Sequence, residues 1–522
     1  MHRLVIALVA LIGLTGVAVV GAYLLLFSAG TDRAAQLAPA SSAFYATVHL
    51  RPSTGQQMNL SGLIGRLPGF ADDASLDDKV DQVIQNLLST AGIDYRSDLK
   101  PWLGDQVSVA AQPPSDDASD TEPVVVIAEV KDADAARAGI GRLLDDGSSF
   151  TAEMYGDAEL RASDTAAYAF VDEMLVIGPD AAAIRAVLDV AAGGDALADR
   201  ADFRETMEGM PADHLASAFV DLGALARSMG AGEQLDAVST AGAVLVAEPD
   251  GLRLSGSAPF ARDRAEPSAR AGFALGTEPS SLVEWMPAGT LAEVVVFGLR
   301  QTLEDAEAAA AGSPEAEELT GALDTFRAIV AFGLGIDLDR DVLPLLDREV
   351  AIAVTGWDGE LPSGQVLLRP EDPAAAEVSL ATIAERLGAV GGEAETRTVG
   401  DITVTVLSLP DLGDVAYAVT DGIAIIGLGA DDVAAAIEAH DSGRTLAQSD
   451  RYREAFEVAG TRAGNEGWVD VSSVIALLDP TELDDDTRDI LGQIGAFAFT
   501  APSRDDEIEF HAVLTVLETR PD

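Results

Sequence analysis

The sequence predicts an α+β fold: two tandem homologous units of mainly antiparallel sheet with covering helices, preceded by one transmembrane helix. Three observations lead there. The chain opens with an uncharged apolar run, the remainder repeats itself at long range, and short strands joined by tight turns alternate irregularly with helices.

The apolar run extends from Leu4 to Phe27. At about 1.5 Å per residue it makes a helix of roughly 36 Å, long enough to cross the hydrocarbon of a bilayer with some tilt. A cleavable signal peptide has a shorter apolar region, about 7–15 residues. Residues 1–30 are therefore expected to be an uncleaved signal-anchor. Arg3, ahead of the span, sets the N-terminus on the cytoplasmic side and the body extracytoplasmic.

The internal repeat organises the rest. Gly92–Ala110 aligns without gaps on Gly335–Ala353, with identities at Gly92, Ile93, Asp94, Asp98, Pro101, Leu103, Val107 and Ala110. Further on, Tyr168–Gly178 matches Tyr417–Gly427, Phe203-Arg204-Glu205 matches Tyr452-Arg453-Glu454, and Val220-Asp221 matches Val469-Asp470. Pro39-Ala40 answers Pro287-Ala288, and Gly242-Ala243 answers Gly495-Ala496. Matches kept in one order imply two homologous units, residues 38–260 and 284–517, joined by a linker over 261–283 with Pro267 and Pro279.

Within the first unit the aromatic strand Ala43–Leu50 comes first. A helix over Leu76–Thr90 follows, with apolar residues at helical spacing. Strands Val107–Ala111 and Val124–Val130 flank a polar loop over Pro113–Pro123. Asp132 is placed to N-cap a helix from Ala133 to Leu144. Ala166–Val171 and Met174–Ile177 read as a hairpin about Asp172-Glu173, whose counterpart Asp421-Gly422 suits a type I′ turn. A helix over Ala181–Val190 follows. Hairpins with interspersed helices favour an antiparallel sheet covered by helices on one face.

The N-terminal span, Leu37-Ala38-Pro39, Phe44-Tyr45, and Gly92-Ile93-Asp94 leading through Asp98 to Lys100-Pro101-Trp102-Leu103-Gly104 together resemble the bacterial membrane-anchored family catalogued as domain of unknown function 3352. The second unit departs from the most distinctive stretch, reading Leu343-Pro344-Leu345-Leu346-Asp347. The resemblance implies this architecture; it implies no activity, substrate or site residue.

Composition excludes several functions. There are 87 Asp+Glu against 33 Lys+Arg, a net charge of −54, with lysine only at Lys79, Lys100 and Lys131. Such a surface repels nucleic acid and anionic lipid, so membrane attachment is left to the N-terminal helix. With no cysteine, disulfides, thiolate metal sites and cysteine nucleophiles are excluded.

No catalytic, cofactor-binding or metal-binding residue is assigned. The histidines, His2, His49, His214, His440 and His511, form no metal-binding spacing and are expected to be surface or satisfied strand residues. Gly427-Leu428-Gly429 lacks the third glycine of a dinucleotide turn, and its counterpart Gly178-Pro179-Asp180 loses an N–H to proline. Asp337, Asp339 and Asp341 open like a calcium loop, but Val342 and Arg348 stand where glycine and a bidentate glutamate are needed. The first unit keeps only Asp94 and Asp98, so a turn is the expected structure. Asp484-Asp485-Asp486 reads as a helix start. Asp221 and Asp470 close a strand in each unit and are expected to cap the next helix, with no basic partner in the sequence nearby.

The leading expectation is thus a non-enzymatic binding, scaffolding or chaperone-like envelope module, with an apolar or lipid ligand as its specific version. Its protein or lipid partner is not named by the sequence. The alternative is an extracytoplasmic hydrolase using carboxylates alone, which requires paired Asp or Glu about 5–9 Å apart across a cleft.

Overall fold

The structure is a computed structural model. It describes residues 32–51, 53–68, 94–113, 124–143, 150–228, 237–265, 273–310, 335–357, 362–389, 392–409, 413–478, 483–504 and 506–518, with a few isolated positions between. The expected anchor, most of the helix expected over Leu76–Thr90 and the loop after Pro113 lie outside the described residues. Among the described residues no helix is long and apolar enough to cross a membrane. The chain packs as two compact units that part at Arg264–Ala265, the first also taking Asp506–Phe510 and the chain from Val516 onward.

In the first unit the strands are β1 (Phe44–His49), β2 (Leu103–Ala111), β3 (Val124–Val130), β4 (Thr151–Tyr155), β5 (Ala158–Ala162), β6 (Ala167–Val171), β7 (Met174–Gly178), β8 (Ala216–Asp221), β9 (Thr240–Glu248) and β10 (Gly251–Pro259). They form one antiparallel sheet in the order β4–β5–β6–β7–β3–β2–β1–β8–β9–β10. The β6–β7 turn holds Asp172 and Glu173 at φ 48° and 64°, the left-handed pair that a two-residue hairpin needs.

Helices cover this sheet on both faces. On one face α1 (Thr54–Gly65) and α2 (Ala133–Leu143) bury Leu60, Leu63, Ala136 and Ile140 against Ala128, Val130, Tyr168 and Leu175. On the other, α3 (Ala181–Ala191) sets Ile184, Val187 and Leu188 on Ile127, Leu160, Ala169 and Val176. The same face receives α4 (Ala201–Met207) through Phe203 and Met207. The expectation of helices on one face is therefore corrected. Val124–Val130 and Met174–Gly178 are apolar at nearly every position, the pattern of a strand buried on both sides. Asp132 caps α2 as expected, accepting from the Ala135 N–H at 3.0 Å.

The second unit contains β11 (Ala292–Phe297), β12 (Glu349–Trp357), β13 (Pro362–Arg369), β14 (Glu393–Val399), β15 (Ile402–Leu409), β16 (Gly413–Thr420), β17 (Ile423–Gly427), β18 (Asn465–Asp470) and β19 (Ile494–Ala501). Their order is β14–β15–β16–β17–β13–β12–β11–β18–β19, again antiparallel throughout. Strand for strand this is the order of the first unit from β4 to β9. Its described helices are α6 (Leu299–Ala310), α7 (Pro373–Ala389), α8 (Ala430–Ser442), α9 (Asp450–Ala459), α10 (Val471–Leu477) and α11 (Asp485–Gly492), α5 (Leu222–Ser228) closing the first unit's series. Again α8 and α9 bury one sheet face and α7 the other.

The Lys-Pro-Trp-Leu-Gly stretch has a packing explanation. Trp102 is buried in the first core and its indole N–H donates to the Asp98 carbonyl at 2.6 Å. Gly139 of α2 gives it room, since a Cβ there would stand 2.6 Å from the indole nitrogen. In the second unit Leu345 takes this place beside Leu380.

Candidate functional site

Most of the residues singled out from the sequence are structural. Asp221 accepts from the Ala224 N–H at 2.7 Å and Asp470 from the Ser473 N–H at 2.9 Å, so each caps the helix that follows its strand. The expectation that neither has a basic partner is corrected. Arg200 lies 2.7 Å from Asp221, and Arg451 lies 2.6 Å from Asp470 Oδ2. Both arginines come from the chain about α4 or α9, roughly twenty residues earlier, a distance that proximity in sequence does not reveal.

The calcium-like aspartates are spent within single wide turns, Tyr95–Leu99 and Leu338–Val342. Asp94 accepts from Ser97 N and Asp98 from Asp94 N; Asp337 and Asp341 repeat both bonds with Arg340 N and Asp337 N. Among the described residues no cluster of three metal-ligating side chains occurs. Asp180 caps α3 after Gly178-Pro179, and Asp432 accepts from Leu428 N within Gly427-Leu428-Gly429, so both strand–helix connections are closed internally. Asp484 caps α11 through Thr487 N at 2.8 Å.

Of the histidines, His2 lies outside the described residues and His511 is half-buried on a strand over Glu507–Val516. His440 stacks on Trp285 at 3.7 Å, and His214 donates from Nδ1 to the Pro211 carbonyl at 2.8 Å. His49 departs from expectation. It is 3% exposed, its Nε2 has no hydrogen-bond partner among the described residues, and its ring lies 6.1 Å from that of His214. Burial, the largest effect, lowers its pKa.

The group that sequence reasoning missed lies inside the second unit. Glu293 on β11 and Glu466 on β18 are 2% and 0% exposed. Val295 pairs with Glu466 and Glu293 with Trp468, so the two glutamates occupy diagonal positions on one sheet face. Glu466 accepts from the Tyr452 hydroxyl at 3.1 Å and from Arg462 Nε at 3.0 Å. Arg462 also donates from Nη2 to the Ser280 carbonyl at 2.6 Å, and the Ser280 hydroxyl donates to Glu349. Arg369 Nε stands 3.6 Å from Glu349, which is itself sealed from solvent.

Glu293 has no such support: neither carboxyl oxygen has a hydrogen-bond partner among the described residues, and neither does the indole N–H of Trp468 opposite. Burial, followed by the charge of Glu466, pushes Glu293 well above the usual glutamate range. Burial also raises Glu466, with Arg462 opposing, and raises the Tyr452 phenol. Tyr452 and Arg462 reach from this cluster to an open cavity of about 410 Å³, whose walls include Arg453, Phe456, Glu457 and Thr461.

The same positions in the first unit hold different chemistry. With Phe44 paired to Val220 as Ala292 is to Val469, Tyr45 stands where Glu293 does and Ser217 where Glu466 does. Gln106 likewise replaces Glu349. Tyr45 donates to Asp32 at 2.5 Å, while Gln106 and Ser108 donate to Thr47 at 3.0 and 2.7 Å, a network of hydroxyl and amide groups about one carboxylate.

Fold and site together define a two-unit α+β protein in which the carboxylates singled out from the sequence cap helices or close turns, and Glu293 and Glu466 are sealed in a core. The chain belongs to the family described as Protein of unknown function (DUF3352), whose family model matches residues 4–515. No curated protein matches it. Among solved structures, crystal form III of TP0453 is 11% identical over 48% of this chain and 89% of that one, at a TM-score of 0.26. Crystal form I of TP0453 is 8% identical over 47% and 84%, also at 0.26. Likeness of that degree carries no argument about function.

Proposed function

We propose that the chain is a membrane-anchored, extracytoplasmic binding or scaffolding module, built by duplication of one α+β unit, rather than a hydrolase. The observation that carries this reading is the fate of the acidic side chains. A carboxylate hydrolase needs two acids facing water and substrate across a cleft. Here the grouped pair, Glu293 and Glu466, is closed to solvent. Asp221 and Asp470, at the strand ends, are bound by helix N–H groups and arginines.

The duplication is supported by the common strand order and by the aligned turns at Asp172-Glu173 and Asp421-Gly422. The anchor is supported by the uncharged run Leu4–Phe27 and the single preceding arginine. Scaffolding is favoured over lipid carriage because the cavity beside Tyr452 is walled by two arginines and a glutamate as well as by rings.

The test is affinity isolation of the full chain from its native membrane, with mass spectrometry of proteins and extracted lipids. A defined protein partner retained at high salt supports scaffolding. Recovery of stoichiometric lipid alone replaces that version with lipid carriage, and recovery of neither overturns the binding reading. Protease protection in intact cells tests the topology: a body shielded along with cytoplasmic proteins defeats the extracytoplasmic assignment.

A further inference from the structure

Buried charge in the second unit does not balance. Three sealed carboxylates, Glu293, Glu349 and Glu466, stand among two guanidinium groups, Arg369 and Arg462. Arg369 serves Glu349 and Arg462 serves Glu466, leaving Glu293 with no ion pair and no hydrogen-bond donor of its own among the described residues. An isolated ionised carboxylate in an apolar interior is far costlier than the same group carrying a proton.

The groups facing Glu293 are few. Strand β18 presents Glu466, the chain before it presents Arg462, and α9 presents the Tyr452 phenol. Strand β12 sets Ala353 directly beside Glu293 and contributes charge only at its far end, through Glu349. Arg462 is already hydrogen-bonded to Glu466 and to the Ser280 carbonyl.

We infer that Glu293 and Glu466 hold one proton between them in the folded second unit, and that its withdrawal as pH rises loosens the β11–β18 pairing. The proton resides on Glu293, because Glu466 has the guanidinium and the phenol to stabilise its charge. Deprotonation places a second negative charge beside the first with nothing to compensate it. Strand β11 pairs with β18 over Ala292–Val295, flanked by bonds from Asp470 N to the Leu291 carbonyl and from Phe297 N to Asn465 Oδ1, so this seam is where the repulsion acts. The first unit carries Tyr45 and Ser217 at these positions and has no such response.

The direction follows from proton linkage. An unfolded glutamate releases its proton near about pH 4.3, whereas the folded pair keeps it to higher pH. Stability therefore falls as pH rises through this interval, by up to about tenfold in the folding equilibrium per pH unit. Ordinary carboxylates, histidines and the α-amino group titrate over parts of the same range, so the share of the pair is the difference in pH dependence between wild type and Glu293→Gln.

The experiment uses the full chain in detergent micelles. Wild type is expected to lose more urea stability than Glu293→Gln as pH is raised above about 4.3. Infrared spectra in deuterated buffer are expected to contain a protonated-carboxyl band at neutral pH that Glu293→Gln removes. If that variant does not fold, the wild-type band must persist while stability is being lost and disappear at the upper end of that pH range, where the folded pair releases its proton. Absence of the band at neutral pH, or its survival in folded Glu293→Gln, overturns the inference.

Discussion

Asp470 offers the sharpest separation between a structural and a chemical carboxylate. Its Oδ1 accepts from Ser473 N at 2.9 Å at the start of α10, and Arg451 approaches Oδ2 at 2.6 Å. The capping bond is worth about 1 kcal/mol. The ion pair adds about 0.5–1 kcal/mol, kept small because the Arg451 side chain is 40% exposed and water screens it. Asp470→Ala removes both and is expected to cost about 2 kcal/mol. Asn is as good an N-cap as Asp, so Asp470→Asn loses only the charge and is expected to cost about 0.5–1 kcal/mol. Urea unfolding followed by tryptophan fluorescence measures both losses, since Trp285, Trp357 and Trp468 all lie in the second unit. Added salt should narrow the Asn loss and leave the difference between Asn and Ala intact. Equal losses in the two variants, or none in either, would refute the capping assignment.

Two further outcomes follow from the first unit. Gly139→Val drives a branched side chain into the buried Trp102 indole and is expected to cost more than about 2 kcal/mol; a urea midpoint unchanged from wild type would show that α2 does not pack on this ring. His49 is held neutral by burial, so its contribution is present above the ordinary histidine range and is lost as pH falls through its lowered folded value. His49→Gln should therefore flatten the decline in thermal midpoint below about pH 6.5, and an undiminished decline would point to another group.

Much of the sheet was legible because its turns are encoded locally. Asp421-Gly422 and Asp172-Glu173 occupy left-handed backbone between apolar strands, and the strands on either side lie within a residue of their expected ends. The outer hairpins were not legible. Thr151–Tyr155 and Glu393–Val399 are exposed along nearly their whole length, so they lack the alternation that marks a half-buried strand. Helix α1 was missed for a related reason: Thr54–Gly65 is rich in Gly, Gln and Asn, and its stability comes from Leu60, Leu63 and Ile64 on the sheet rather than from propensity.

The buried glutamates were hidden by the habit of assigning acidic residues to the surface. In Ala292–Phe297 the single glutamate, ahead of three consecutive valines, looks like the solvent side of the strand. The repeat contained the contrary signal. The shift that carries Pro39 onto Pro287 carries Tyr45 onto Glu293, and Tyr45 is buried in the first unit's core. Comparing the halves for what differs at core positions, as well as for what agrees, would have found it.

That difference extends beyond one residue. In the first unit an acid on β3, Glu129, meets Arg33 of the preceding segment at 3.2 Å. In the second, the strand position equivalent to Glu129 is Arg369, and its partner Glu349 replaces Gln106. The ion pair thus has its polarity reversed along β3 and β13 while the strand order is unchanged. Buried polar groups add little net stability, because desolvation offsets their attraction, so exchanging them leaves the apolar layers on either face to hold the sheet. The apolar positions Ala136 and Ala376, Ile140 and Leu380 are buried in both units. Retention of the apolar face with replacement of the polar interior is what separates a constraint on folding from a property each unit is free to change, and the unshared proton-bearing glutamate belongs to the second kind.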